Sequence, residues 1–376
     1  MAAKLLIAAS TDAEMRYATG LAITDQFILL DTGAKRYVLV SSLEYGRAKR
    51  ALRGKRGFEV VLFDKHYDAI KKARQRKGAK VRKGSVLALI AAAYLKERRI
   101  EAVVMPRTAL AIHVEQLKCA GITVGLARLY DRSVKTKEEI EEMKKVRDAA
   151  VVAMQRCIAI IKGSKIGNKK ELVHKGEKVT SEYLRAEARK LLVERECESP
   201  EMIISHGTQS AYPHEEGKGA IKAGEPIVMD FFPRSMTTGY WFDMTRTVCK
   251  GKPSDALRKQ WDAVKEAQDA GLKKVRAGVR TGTIHRAVLD VFARRGYKTT
   301  TEEGYIHSTG HGVGLEIHEA PSIHDKGTEV LKAGMVITIE PGLYYRAVGG
   351  VRLENTVLVT TTGYKDLTRT ERVLQL

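Results

Sequence analysis

The chain has little with which to build a disulfide framework, a membrane span or a nucleic-acid platform. Four cysteines occur in 376 residues, and Cys119, Cys157, Cys197 and Cys249 stand far apart with no CxxC pair. This argues against a disulfide scaffold and a thiolate zinc site, and makes a reducing cytoplasm the expected compartment. No apolar run reaches the roughly 18 residues that suggest a membrane span. The short apolar stretch within the first ten residues lacks the length and basic leader of a signal peptide, and it reads as a first buried strand. Acids are short against bases, 45 to 66. Much of the imbalance falls between Arg47 and Lys83, with fifteen Lys or Arg against three acids, Glu59, Asp64 and Asp68. Such a window can serve a nucleic acid. With few aromatics and no nucleic-acid motif, it reads instead as a solvated helix-and-loop surface.

The length exceeds one ordinary core, so two domains are expected, 1–132 and 133–376. The first alternates short apolar runs with basic helical stretches, the pattern of an α/β layer. Its candidate strands are Phe27–Leu30, Tyr37–Val40, Val60–Phe63, Ala102–Met105 and Ile122–Val124, and its candidate helices Leu43–Arg53, Asp68–Arg76 and Val86–Arg98. The second opens on Thr136 and Glu139, spaced as a capping box, with Ile140, Met143, Val146, Ala150 and Met154 forming one stripe of a helix to about Lys162. Further helices are predicted from the Thr180/Ser181 cap, over Ser254–Val275 and from Thr283 to Arg295.

Chemistry concentrates beyond that point, where seven of the ten histidines lie from His206 onward. Two apolar hairpins each carry two acids. One runs Pro226-Ile-Val-Met-Asp230-Phe-Phe, then Tyr240-Trp-Phe-Asp243-Met-Thr-Arg-Thr-Val248; the other runs Met335-Val-Ile-Thr-Ile-Glu340, a turn at Gly349 and Gly350, then Val351-Arg-Leu-Glu354 and on to Val359. A carboxylate in so apolar a strand must be paired, protonated or metal-bound. One such acid is commonly a buried acceptor, but four on similar hairpins call for cations. Between the hairpins, His307-Ser-Thr-Gly-His311-Gly-Val-Gly-Leu-Glu-Ile-His318 sets three histidines among glycines. Carboxylates with an imidazole favour hard or borderline ions: Mn first, with Co, Fe or Zn as alternatives, and two of them.

This set resembles the pita-bread (M24-type) metallopeptidases, which include methionine aminopeptidase, aminopeptidase P and prolidase. The five ligand positions of that family are matched in order by Asp230, Asp243, His311, Glu340 and Glu354. Ser210-Ala-Tyr-Pro-His214, Asp243-Met-Thr-Arg-Thr247, Ile339-Glu-Pro-Gly342 and Gly350-Val-Arg-Leu-Glu354 resemble signatures of the proline-specific branch. Tyr17-Ala-Thr-Gly20 and the linker with Arg132 and Lys135 are similar to the creatinase/prolidase layout, so the likeness spans the chain.

The resemblance implies an α+β protein: a creatinase/prolidase-like α/β domain, then a pita-bread catalytic domain with a curved antiparallel sheet, usually in a homodimer. It implies hydrolysis of the bond before proline, by a dipeptidase or an aminopeptidase. Asp230 would hold one ion and His311 with Glu340 the other, with Asp243 and Glu354 bridging. Glu340 would relay a proton. His214 and His318 would contact the reacting amide, and His307 would line the proline side. Arg352 would meet either a carboxylate near the metals or the substrate's C-terminal carboxylate. Tyr344 and Tyr345 are candidates for the pocket wall or for a hydroxyl, and His206 for a structural or loop role. Phe231, Phe232 and Phe242 depart from the family's small residues and are expected to reshape the pocket rim. Two rivals stand beside this reading, a non-catalytic binding module on the same fold and a non-peptidase hydrolase or lyase. The complete ligand set argues against both.

Overall fold

A computed structural model describes residues 2–75 and 84–376. The chain divides into two compact units, Met1–Asp131 and Arg132–Leu376.

In the first unit six strands form one sheet: β1 (Ala3–Ala8), β2 (Phe27–Asp31), β3 (Arg36–Val40), β4 (Phe58–Leu62), β5 (Ala102–Pro106) and β6 (Thr123–Ala127), in the order β4-β3-β2-β1-β5-β6. The β1–β2 and β2–β3 pairs are antiparallel, and the outer pairs are parallel. β2 is buried along its whole length, which explains its unbroken apolar run. The helices include Ser42–Ala51, Asp64–Gln75 and Val86–Glu97, and Ser85 caps the last by accepting from the Ala88 N–H. The end of the basic window, residues 76–83, with the Arg76 end of one predicted helix, lies outside the described residues.

In the second unit α1 (Lys137–Gly163) begins at the Thr136 capping box, and its Met143, Val146, Ala150 and Met154 are buried. α2 (Ser181–Val193) starts at Thr180, whose hydroxyl accepts from the Tyr183 N–H. α3 (Asp255–Leu272) starts at Ser254, and α4 spans Thr281–Arg294. These helices back the strands that carry the acids. β7 (Ile203–His206), β8 (Ile227–Phe231) and β9 (Met244–Val248) form an antiparallel sheet. A second antiparallel sheet holds β10 (Gly310–Gly312), β11 (Glu319–Ile323), β12 (Val336–Ile339), β15 (Asn355–Val359) and β16 (Tyr364–Asp366). Between β12 and β15 the chain makes a two-stranded ribbon, β13 (Gly342–Tyr345) with β14 (Gly349–Arg352).

The ribbon corrects the expected turn. Gly349 and Gly350 lie in β14 opposite Tyr345 and Tyr344, and the turn falls at residues 346–348. The glycines answer to packing: a Cβ on Gly350 would sit 1.9 Å from the Ser210 carbonyl oxygen. Their absent side chains let the segment leading to His214 lie against the ribbon.

Candidate metal centre

Four acids enter one buried space because their strands are paired. Asp230 near the end of β8 stands opposite Thr245 of β9, and Asp243 immediately precedes β9. Glu354 sits between β14 and β15, with its N–H donating to the Thr245 carbonyl. Glu340 follows β12 and donates its N–H to the Thr309 carbonyl, beside the strand bearing His311. Gln268 of α3 holds these strand ends together by donating to the carbonyls of Ile339 and Leu353.

Asp243, His311 and Glu354 offer ligand atoms that all lie within 4.8 Å of one another. His311 Nε2 is 3.1 Å from Glu340 Oε1 and 3.7 Å from Asp243 Oδ2. His311 Nδ1 is 3.1 Å from the Gly312 carbonyl, so the proton of a neutral ring belongs there and Nε2 faces the acids. Among the described residues, each of three carboxylates keeps one buried oxygen without a hydrogen-bond partner: Asp230 Oδ1, Asp243 Oδ1 and Glu354 Oε1. An orphaned buried acceptor is costly, and three pointing into one space need a cation or a proton. The donor set is right for a divalent ion, since it is carboxylate-rich with one imidazole.

The electrostatics agree. Burial, then the neighbouring carboxylates, raise Asp243 and Glu354 well above the usual carboxylate range. Burial opposes charge on His311, but Glu340 and then Glu354 outweigh it and lift the ring to about 9. Burial also opposes charge on Glu340, yet His311, His307 and Arg352 hold it down to about 2.

Arg352 is buried, and all three of its guanidinium nitrogens are committed. Nη2 lies 2.5 Å from Asp230 Oδ2, Nη1 donates to the Tyr344 hydroxyl at 2.7 Å, and Nε reaches Thr245 Oγ1 at 3.3 Å. It therefore meets a carboxylate of the centre. Tyr344 accepts from Arg352, so its own proton goes to His307 Nε2 at 3.0 Å. His307 Nδ1 then donates to the Ser308 carbonyl at 2.8 Å. Burial, the largest cause, keeps His307 below the ordinary histidine range.

His318 rests edge-on to His311, with ring centroids 4.4 Å apart. Burial and then His311 push its pKa down. His214 is exposed on the loop after Ser210, near enough for its charge to depress both His307 and His318.

Two expectations need correction. Phe231 and Phe242 are wholly buried in the apolar core and do not line a rim. Tyr345 turns to the opposite face of the ribbon from Tyr344, donates to the Lys298 carbonyl and packs on Tyr297, so it is no pocket wall. His206 is held by Glu225 and the Lys218 carbonyl.

Thr245, which carries none of the roles expected above, also serves the centre. Its hydroxyl donates to Glu354 Oε2 at 2.7 Å, leaving Oε1 for the centre. Its place in the Asp243-Met-Thr-Arg-Thr run was visible, but its partner 109 residues away was not.

The model of metallopeptidase family M24 matches residues 141–361. A Xaa-Pro dipeptidase of Pyrococcus horikoshii is 34% identical over 274 residues, 69% of this chain and 76% of that protein. A Xaa-Pro dipeptidase of Pyrococcus furiosus is 37% identical over 246 residues, 65% of each. Among solved structures, the prolidase from Pyrococcus furiosus superposes with a TM-score of 0.78 at 28% identity, covering 99% of this chain and 97% of that one. The Xaa-Pro dipeptidase from Bacillus anthracis gives 0.80 at 25% identity, covering 100% and 95%.

Proposed function

The chain belongs to metallopeptidase family M24, and from that premise we propose that it is a metal-dependent hydrolase of the peptide bond before proline. The observation that carries the metal dependence is the set of orphaned buried oxygens on Asp230, Asp243 and Glu354, the last two clustered with His311. The choice of bond is supported by the relatives, which are Xaa-Pro dipeptidases.

In this reading Asp230, Asp243, His311, Glu340 and Glu354 hold two divalent ions, manganese by preference, with cobalt, zinc or iron as substitutes. Ions bound there would supply Lewis acidity, to the attacking water and to the scissile carbonyl. Glu340 takes a proton on its carboxylate and passes it to the leaving amine. His318, beside His311 at the outer side of the centre, donates a hydrogen bond to the carbonyl oxygen as charge grows on it. His214 approaches the same amide from its loop.

His307 has both ring nitrogens engaged, and Arg352 spends its donors on Asp230, Tyr344, Thr245 and the Pro213 carbonyl, so we assign neither a proton-transfer role. His307 walls the proline side, with Tyr344 behind it, and Arg352 fixes the orientation of Asp230. The intact ligand set favours this reading over a non-catalytic binding module. We place the enzyme in the cytoplasm as a homodimer. The cysteines are free, and no helix among the described residues is long and apolar enough to cross a membrane.

The test is hydrolysis of Gly-Pro and of a longer Xaa-Pro peptide with added Mn, against a peptide beginning with Met. Cleavage before proline is expected, and the ratio of the two proline substrates separates a dipeptidase from an aminopeptidase. Cleavage of the Met-initiated peptide alone overturns the assignment.

A further inference from the structure

Near the start of the second unit, ahead of α1, two basic side chains do something the centre itself does not explain. The Lys135 side chain is 1% exposed and the Glu319 side chain 4% exposed, and the two form an ion pair. Lys135 also donates to the carbonyls of Arg132 at 2.7 Å and Ser133 at 3.4 Å, which uses its three protons. Arg132 pairs with Glu316, and its Nη2 lies 3.7 Å from Glu319 Oε2. Glu316 and Glu319 flank His318 on either side.

A buried ion pair adds little stability over an apolar pair of the same size, because desolvation offsets the attraction. What it supplies is a fixed geometry. Here the fixed residue is the one after His318. Glu319 pairs with Gly312 across β10 and β11, just past an irregularity between His311 and Gly312. Its carboxylate also fills the space a side chain at Gly314 would need, since a Cβ there would lie 2.4 Å from Glu319 Oε1. The 313–318 loop thus leaves the strand bearing His311 and returns to an anchored residue. The His318 ring between them lies 4.4 Å from that of His311, with an interplanar angle of 82°.

We propose that Lys135, assisted by Arg132, is a positioning residue: by clamping Glu319 and Glu316 it fixes the loop that aims His318 at the reacting carbonyl. Lys135 touches neither substrate nor metal ligands. It acts through the backbone of Glu319. The catalytic part of this inference rests on the hydrolase reading above, and the loop-fixing part does not.

The test variant is Lys135→Met with Glu319→Gln, which removes both charges at nearly constant volume and strands no buried ion. Amide exchange of residues 313–319 is measured by mass spectrometry, with and without Mn, alongside melting temperature and Gly-Pro kinetics. Expected are a melting temperature within a few degrees of wild type and exchange of that loop about tenfold faster. The kcat should fall ten- to hundredfold, since a misplacement of about 1 Å can cost that much, with KM changed less than threefold. In a His318→Ala background the same pair should lower kcat less than twofold, because the residue being aimed is gone. Unchanged exchange, or an equal kcat loss without His318, overturns the proposal. Should the double variant fail to fold, Glu319→Gln alone carries the same exchange and coupling tests. If wild type cleaves no proline peptide, the hydrolase reading fails, and the exchange result still decides whether Lys135 fixes the loop.

Discussion

Arg352 sets Nη2 2.5 Å from Oδ2 of Asp230, and both residues are buried. The contact divides the two oxygens of Asp230. One is neutralised by the guanidinium, and the other, Oδ1, is buried without a hydrogen-bond partner among the described residues. The same arginine reaches Tyr344 and Thr245, so one planar fork ties β8, β9 and the β13–β14 ribbon together.

Removing that fork should cost more than its own contacts. Arg352→Ala leaves Asp230 as an uncompensated buried charge beside further acids, and a loss of about 3–5 kcal/mol is expected for a broken buried pair. Arg352→Lys keeps the charge but not the planar fork that also reaches Tyr344 and Thr245, and should fall between. Urea unfolding of the metal-free protein measures both. An Arg352→Ala variant within about 1 kcal/mol of wild type contradicts this account.

Metal binding should release protons. In the metal-free protein Asp243 and Glu354 are raised and His311 stands at about 9, so at pH 7 the centre holds protons that a cation must displace. Raising the pH removes those protons beforehand. Apparent Mn affinity should therefore climb with pH and level off above about 9, where His311 is already neutral. Calorimetry in buffers of different ionisation enthalpy reads the release directly. Saturating Mn should also raise the melting temperature, by the equivalent of about 2.7 kcal/mol at a hundredfold excess over Kd. Affinity flat between pH 6 and 9 rules this out.

Much of this site was legible in the sequence, because buried acids break the grammar of an apolar strand. Asp230, Asp243 and Glu354 stand out in runs where only a paired or metal-bound carboxylate is tolerable. The α1 start was legible too, since Thr136 and Glu139 are local partners. What failed was what only tertiary contact decides. Gly349 and Gly350 looked like a turn, but the Ser210 carbonyl, 140 residues away, explains Gly350. Phe231 and Phe242 looked like rim residues because they flank ligands, yet each turns into the core. The Lys135–Glu319 pair spans 184 residues, beyond the reach of any local pattern.

Glu340 carries the test of proton transfer. Glu340→Gln keeps the shape and the Thr309 backbone contact while removing the base. Turnover of Gly-Pro should drop at least a thousandfold, with far-ultraviolet circular dichroism and melting temperature close to wild type. Activity within tenfold of wild type in a metal-loaded sample sinks the proton-relay role.

Two threonines on one strand separate tuning of the metal from plain stability. Thr245 and Thr247 both lie on β9, both are fully buried, and their side chains share a face because residues two apart do so in a strand. Thr247 Oγ1 donates to the Arg352 carbonyl and accepts its N–H, so it serves backbone alone. Thr245 Oγ1 donates to the carboxylate of Glu354 and so fixes which oxygen remains for the cation. Replacing either by Val leaves buried polar groups without a partner, at about 1–3 kcal/mol. Only Thr245→Val should also weaken Mn binding, by ten- to hundredfold, the usual effect of losing a group that orients a ligand. Titration of both variants under one set of conditions decides the matter. Equal affinity losses would show that Thr245 merely packs, and a loss confined to Thr245→Val would show that the strand carries a tuning group one residue pair away from a structural one.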